Sequence, residues 1–160
     1  DRPVKFADTL RLGGKSIIIS HPGAGHSAGD LLVWLPGERV LFAGDVLVED
    51  GVSMVVDGNS SELLRVLGLV DSLGAAIVVP GHGVIPARPA ELVQRTREYL
   101  TRLQAEMRAA VEQAVPMRRA LATLPPADST RPVSLDSRRR RNAARVYVEE
   151  ERKYMGLDEP

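Results

Sequence analysis

AAIVVPGHG, residues 75–83, is a short apolar run that meets Pro-Gly and then presents a histidine between two glycines. A run rich in branched apolar residues and bounded by Gly or Pro reads as a β-strand. RVLFAGD, residues 39–45, has the same form and ends in an aspartate. Between them, Asn59 to Leu73 reads as a helix. Asn59 and Ser60 are good N-caps, Leu63, Leu67 and Val70 recur at helical spacing, Leu64 and Val66 widen the stripe, and Gly74 stops it. Strand, helix, strand is a right-handed crossover unit, so the two strands run parallel.

Upstream, KSIIIS (15–20) and LLVWLP (31–36) read as strands, and DTLRLGG (8–14) as another. Pro36-Gly37-Glu38 is a hairpin signal, so 31–36 runs against 39–43. If 15–20 runs up, then 39–43 and 75–79 run up as well. Three strands then deliver their C-terminal ends to one edge of the sheet. The first leads into SHPGAGHSAGD (20–30), the second into Gly44-Asp45, the third into PGHG (80–83). All three histidines of the chain lie in these segments. Ligands of α/β sheets sit outside strand C-termini, and glycines permit close approach of backbone to a ligand. Imidazoles and a carboxylate converging without sulfur suit zinc, iron or manganese.

The second half reads as helical. A long helix is expected from Pro89, suited to a first turn, to Val115, with a short one at Met117–Ala122. A Pro/Ser linker covers 123–134, and a last helix runs from Asp136 to Lys153. The segment Val46 to Met54 is ambiguous between extended and irregular. Trp34, the only tryptophan, falls on a hairpin strand and reads as core. RRRR at 138–141 reads as a solvated helix face, with a weak hint of anion or partner binding.

The chain has 160 residues, of which 44% are apolar, enough for one domain with a core. Its 21 basic and 21 acidic residues leave no bulk charge to favour nucleic acid or an anionic membrane. The absence of cysteine excludes disulfides, thiolate metal sites and a cysteine nucleophile, and leaves the compartment, cytoplasmic or periplasmic, open. No apolar run approaches the ~20 residues that span a bilayer. The chain starts at Asp1 without Met, so an upstream segment is expected.

GHSAGD (25–30), FAGDVL (42–47) and VVPGHG (78–83), in this order, resemble the second half of the metallo-β-lactamase fold hydrolases, which include glyoxalase II-type thioesterases, lactonases and lactamases. The resemblance covers residues 8 to 100, and NAARVYVEEE (142–151) is similar to the tails of some of those hydrolases. It implies an α/β chain, the C-terminal half of an αββα sandwich, with a mixed sheet and flanking helices. Residues 1–122 would form that half-domain, and residues 123–160 a linker and helix packed on it. It implies His26 as a ligand of one metal, His82 of a second, and Asp45 as the carboxylate that bridges them and orients the attacking water. Asp30 would orient a ligand or its loop by hydrogen bonding. His21 matches no ligand position and would line the mouth of the site. The cofactor implied is zinc, two ions in the complete protein, with iron or manganese as alternatives. The reaction implied is attack of metal-activated water on an ester, thioester, lactone or lactam of a small-molecule substrate.

The His-x-His-x-Asp-His segment that opens the family signature is missing from this chain, as is the first sheet of the sandwich. Half a sandwich exposes an apolar sheet face. The expected partner is therefore the missing N-terminal half or a second copy of the chain. A different class of function, a non-catalytic dimerising module derived from the same fold, remains open. Nucleic-acid processing is disfavoured by the neutral charge and the lack of basic-aromatic interleaving.

Overall fold

The computed structural model describes residue 4, residues 6–124 and residues 133–157. The elements in chain order are β1 (Ala7–Leu12), β2 (Lys15–Ser20), β3 (Leu32–Leu35), β4 (Val40–Val48), α1 (Ser60–Leu73), β5 (Ile77–His82), α2 (Pro89–Glu112), α3 (Met117–Ala122) and α4 (Val133–Tyr154). The strands form one mixed sheet in the order β1-β2-β3-β4-β5. The first three pairings are antiparallel and β4–β5 is parallel, so β2, β4 and β5 share a direction, as expected from the crossover. Residues 125–132, most of the expected linker, lie outside the described residues.

Two strands run further than the sequence suggests. β4 does not stop at Asp45, because Val46, Leu47 and Val48 are all buried and extend the apolar run. Its pairing with β5 jumps from Gly44↔Pro80 to Val48↔His82. Three residues of β4 thus bulge opposite Gly81 alone, with Gly44 at φ 52° supplying the bend. β5 continues through Pro80 to His82 because it is an edge strand, where a missing N–H leaves no ladder bond broken. Conversely, α2 ends at Glu112, short of Val115. Ala114 takes φ 51°, and Pro116 disfavours helical backbone in the residue before it.

Residues directly opposite one another across strands share a face. Ile18, Trp34, Leu41 and Val78 lie on one such row, with Leu32 and Ala43 on the same face. This face is covered. α1 inserts Leu63, Val66, Leu67 and Val70, and α2 inserts Leu92, Val93, Leu100 and Leu103. α4 packs on the outer side of α2 through Ala143, Val146 and Tyr147. Asn59 caps α1, accepting from the Ser61 and Glu62 amides, and Gly74 closes it in the left-handed conformation.

The other face is open. Phe42 pairs with Val33 and Val79, Val33 with Ile19, Val40 with Leu35 and Ile77, and Ile17 with Leu10. Every one of these positions is apolar and none belongs to the buried core. Leu10, Phe42 and Ile77 keep 43–48% of their surface exposed, and Leu12 keeps 72%. The sheet therefore has helices on one side and a bare apolar surface on the other. Among the described residues, no helix is long and apolar enough to cross a membrane.

Candidate metal centre

The parallel direction of β4 and β5 brings Asp45 and His82 together at one end of the sheet. His82 Nε2 lies 3.4 Å from Asp45 Oδ1. His26 arrives from the β2–β3 loop and puts its Nε2 3.5 Å from Asp45 Oδ2. The two imidazoles thus take opposite oxygens of one carboxylate. All three side chains are partly open to solvent.

Gly81 makes the Asp45 position possible. A Cβ there would overlap Asp45 Oδ1 and come within 2.7 Å of the Gly44 carbonyl carbon. The carboxylate lies across the bare glycine backbone.

The His26 loop is held by its own aspartate. Asp30 Oδ2 accepts from the His26 amide at 2.7 Å, and Oδ1 accepts from the Ser27 amide and hydroxyl at 2.9 and 2.8 Å. Asp30, buried, thus holds the loop through two backbone amides and the Ser27 hydroxyl. The ring has another partner, the Met54 carbonyl, 2.9 Å from His26 Nδ1. A carbonyl can only accept, so Nδ1 carries a proton, and when the ring holds only that proton Nε2 presents its lone pair toward Asp45. The loop also packs backbone on backbone against residues 57–59. The Asn59 amide donates to the Ala24 and Gly25 carbonyls, and Ser27 bridges Asp57. A Cβ at Gly58 would sit 2.6 Å from the Gly25 carbonyl carbon. His21 stands apart, donating from Nδ1 to the Asp30 carbonyl at 2.8 Å.

The spacing has a chemical consequence. At 3.4 and 3.5 Å the nitrogen–oxygen separations exceed the usual N–H···O range of about 2.7–3.2 Å. Two donors each about 2.0–2.1 Å from a tetrahedral zinc would lie about 3.3–3.4 Å apart. Donor types and spacing therefore fit a divalent ion on each side of Asp45. Among the described residues, no three His, Asp or Glu side chains form a complete ion site by themselves. Each such ion would find one imidazole and one carboxylate oxygen here.

Sequence reasoning placed His26, Asp45 and His82 at one sheet edge, and they meet there. It missed Met54, whose contribution is a backbone carbonyl and leaves no mark on residue type. It also missed the specific duties of Gly58 and Gly81, which are visible in sequence only as glycines.

The family model for the Metallo-beta-lactamase superfamily matches residues 1–82, just over half of the chain. The chain belongs to the metallo-beta-lactamase superfamily. It is similar to the Metallo-beta-lactamase type 2 of Bacteroides fragilis, with 27% identity over 58% of this chain and 38% of that protein. It is also similar to the Beta-lactamase-like protein 2 homolog of Caenorhabditis elegans, with 29% identity over 56% of this chain and 29% of that one. A metallo-beta-lactamase family protein from Thermus thermophilus shares the fold with a TM-score of 0.64 at 23% identity, over 96% of this chain and 49% of that chain. This superfamily member therefore spans less than half the length of those relatives.

Proposed function

We propose that the chain is the C-terminal, metal-binding half of a metal-dependent hydrolase. Its target is an ester, thioester, lactone or lactam bond of a small molecule, and it falls in the glyoxalase II-like branch of the superfamily. The observation that carries this reading is the placement of two imidazole Nε2 atoms 3.4 and 3.5 Å from opposite oxygens of Asp45. His26, Asp45 and His82 would hold zinc, with iron or manganese as ions the same donors accept. An ion held there supplies water activation near neutral pH and polarisation of the scissile carbonyl. The chain's own groups do the positioning. Asp45 keeps the two imidazoles on either side of itself, the Met54 carbonyl fixes the His26 proton on Nδ1, and Asp30 holds the loop. Gly81 leaves the carboxylate its room.

The remaining ligands come from elsewhere. In this reading an N-terminal half bearing a His-x-His-x-Asp-His segment covers the open apolar face and completes each ion's coordination. The fraction of the relatives' length spanned by the chain supports this, as does the bare face itself. The same bare face favours a second reading, a non-catalytic module that dimerises through it.

The test is zinc-dependent hydrolysis of a panel of ester, thioester, lactone and lactam substrates by the chain joined to such an N-terminal half. Turnover abolished by a chelator and by Asp45→Asn supports the hydrolase. A folded, zinc-loaded assembly inert toward all four bond types removes it and leaves the dimerising module.

A further inference from the structure

The Met54 carbonyl that fixes His26 sits in an irregular segment, residues 49–59, with no secondary structure of its own to hold it. Besides the Ser53 hydroxyl on the Val46 carbonyl and the Ser27–Asp57 bridge, it is held by α4. Asn142 is fully buried, and its amide grips the residues on both sides of Met54. Asn142 Oδ1 accepts from the Val55 amide at 3.0 Å, and Nδ2 donates to the Ser53 carbonyl at 2.9 Å. Three residues along the same helix face, Arg145 donates from Nη2 and Nε to the Gly58 carbonyl at 2.8 and 3.2 Å. Gly58 is the residue pressed against the Gly25–His26 backbone. Glu149, one turn further on, pairs with Arg145 and accepts from the Ser60 amide. A buried side-chain amide with every atom used, on a helix remote in sequence, points to more than local packing. The Tyr99 hydroxyl also accepts from Asn142 Nδ2, at 3.1 Å.

We propose that α4 positions His26: Asn142 and Arg145 clamp the 53–58 segment, and through the Met54 carbonyl they keep the imidazole proton on Nδ1 and Nε2 turned toward Asp45. Asn142 and Arg145 are positioning residues that touch no substrate or ion. The consequence for metal binding rests on the reading of His26 as a ligand, whereas the effect on the imidazole does not.

The experiment has two readouts on the 160-residue chain. Long-range ¹H–¹⁵N spectra of the zinc-free chain, recorded above the ordinary imidazole pKa of about 6.5, report which nitrogen of His26 is protonated. Titration with zinc alone reports affinity. Wild type is expected to show the Nδ1–H form. Asn142→Leu, which conserves volume but removes both clamps, is expected to shift His26 toward the Nε2–H form. It is also expected to weaken zinc binding by about 10–100-fold, the usual cost of losing a group that orients a ligand. Arg145→Ala shifts both readouts in the same direction by less. Tyr99→Phe removes a bond of the same network, lowers stability, and leaves both readouts as in wild type. If Asn142→Leu and Arg145→Ala lower the melting temperature as Tyr99→Phe does but leave the His26 tautomer unchanged, α4 is only structural and the proposal is overturned. If Asn142→Leu does not fold, Arg145→Ala decides, since its side chain is 40% exposed and Glu149, which loses that partner, keeps its bonds to Ser60. His26→Ala separates the two readings. Zinc binding unaffected by it removes His26 from the ion site, while the tautomer result stands or falls on its own.

Discussion

Gly81 and Asp45 show how closely one residue depends on another here. Gly81→Ala forces a Cβ into the carboxylate and against the Gly44 backbone. Because the crowding is partly against backbone, relaxation is limited, and a loss of about 1–3 kcal/mol is expected, read as a lower midpoint in urea unfolding. The larger effect is on the site. Asp45 is displaced from both imidazoles, so zinc affinity should fall more than stability alone explains. An unchanged zinc isotherm in folded Gly81→Ala would separate the glycine from the site. At this scale the sequence is informative about identity and silent about contact. His26 and His82, two of the three histidines, and Asp45 stand out by their glycine-rich surroundings at strand ends. Which glycine makes room for which carboxylate depends on the bulge in β4, and a Gly-Asp pair looks the same at a bulge as at a turn.

At the scale of elements, local signals serve well where a single chain segment decides. Asn59 caps α1 as its residue type suggests, and Asn59→Ala should cost about 0.5–2 kcal/mol of stability, measured by chemical unfolding. Strand ends were less legible. Gly44 and Pro80 are ordinary terminators, overruled here by the buried Val46–Val48 run and by the edge position of β5. The last helix was expected to pack on the domain, but its partner α2 was not legible, because Ala143, Val146, Tyr147 and the Arg108–Glu150 pair join residues distant in sequence. Glu149 and Glu150 find Arg145, Arg108 and Lys153, while of the basic run Arg140 meets Asp136 and Arg138 lies 3.9 Å from Asp50. Burial pushes the Glu150 carboxyl up, but hydrogen bonds from Arg108 and Lys153 outweigh it and hold it below the usual carboxylate range. A carboxyl with a depressed folded pKa contributes stability that is complete above its unfolded pKa and disappears as pH falls through the folded value. The melting temperature of wild type should therefore exceed that of Glu150→Gln at neutral pH, and the gap should close on acidification below the ordinary carboxylate range. A gap constant with pH would mean that Glu150 acts through packing alone.

The whole molecule is a sheet with one dressed face and one bare face. This was legible in advance through the resemblance, because half of a two-sheet sandwich leaves one apolar sheet face uncovered. Exposed apolar patches of this kind mark interfaces. Phe42→Lys combined with Ile77→Lys should leave stability nearly unchanged, since both side chains are already 43% exposed, while abolishing association through the face. Sedimentation velocity across a concentration series checks this: wild type is expected to associate and the double variant to stay monomeric. Wild type remaining monomeric at high concentration would argue against an intermolecular role for the face. In the proposed function, whatever covers the bare face would also supply the ion ligands that His26, Asp45 and His82 do not.

The proposed chemistry turns on Asp45 as the shared anchor of ions held with His26 and His82. Titration of zinc into the chain joined to an N-terminal half that completes the coordination, followed calorimetrically, tests it with Asp45→Asn, His26→Ala and His82→Ala alongside. Saturable binding is predicted for wild type, weakened in each histidine variant and lost in Asp45→Asn. No saturable binding by wild type, or the same isotherm in Asp45→Asn as in wild type, would contradict it.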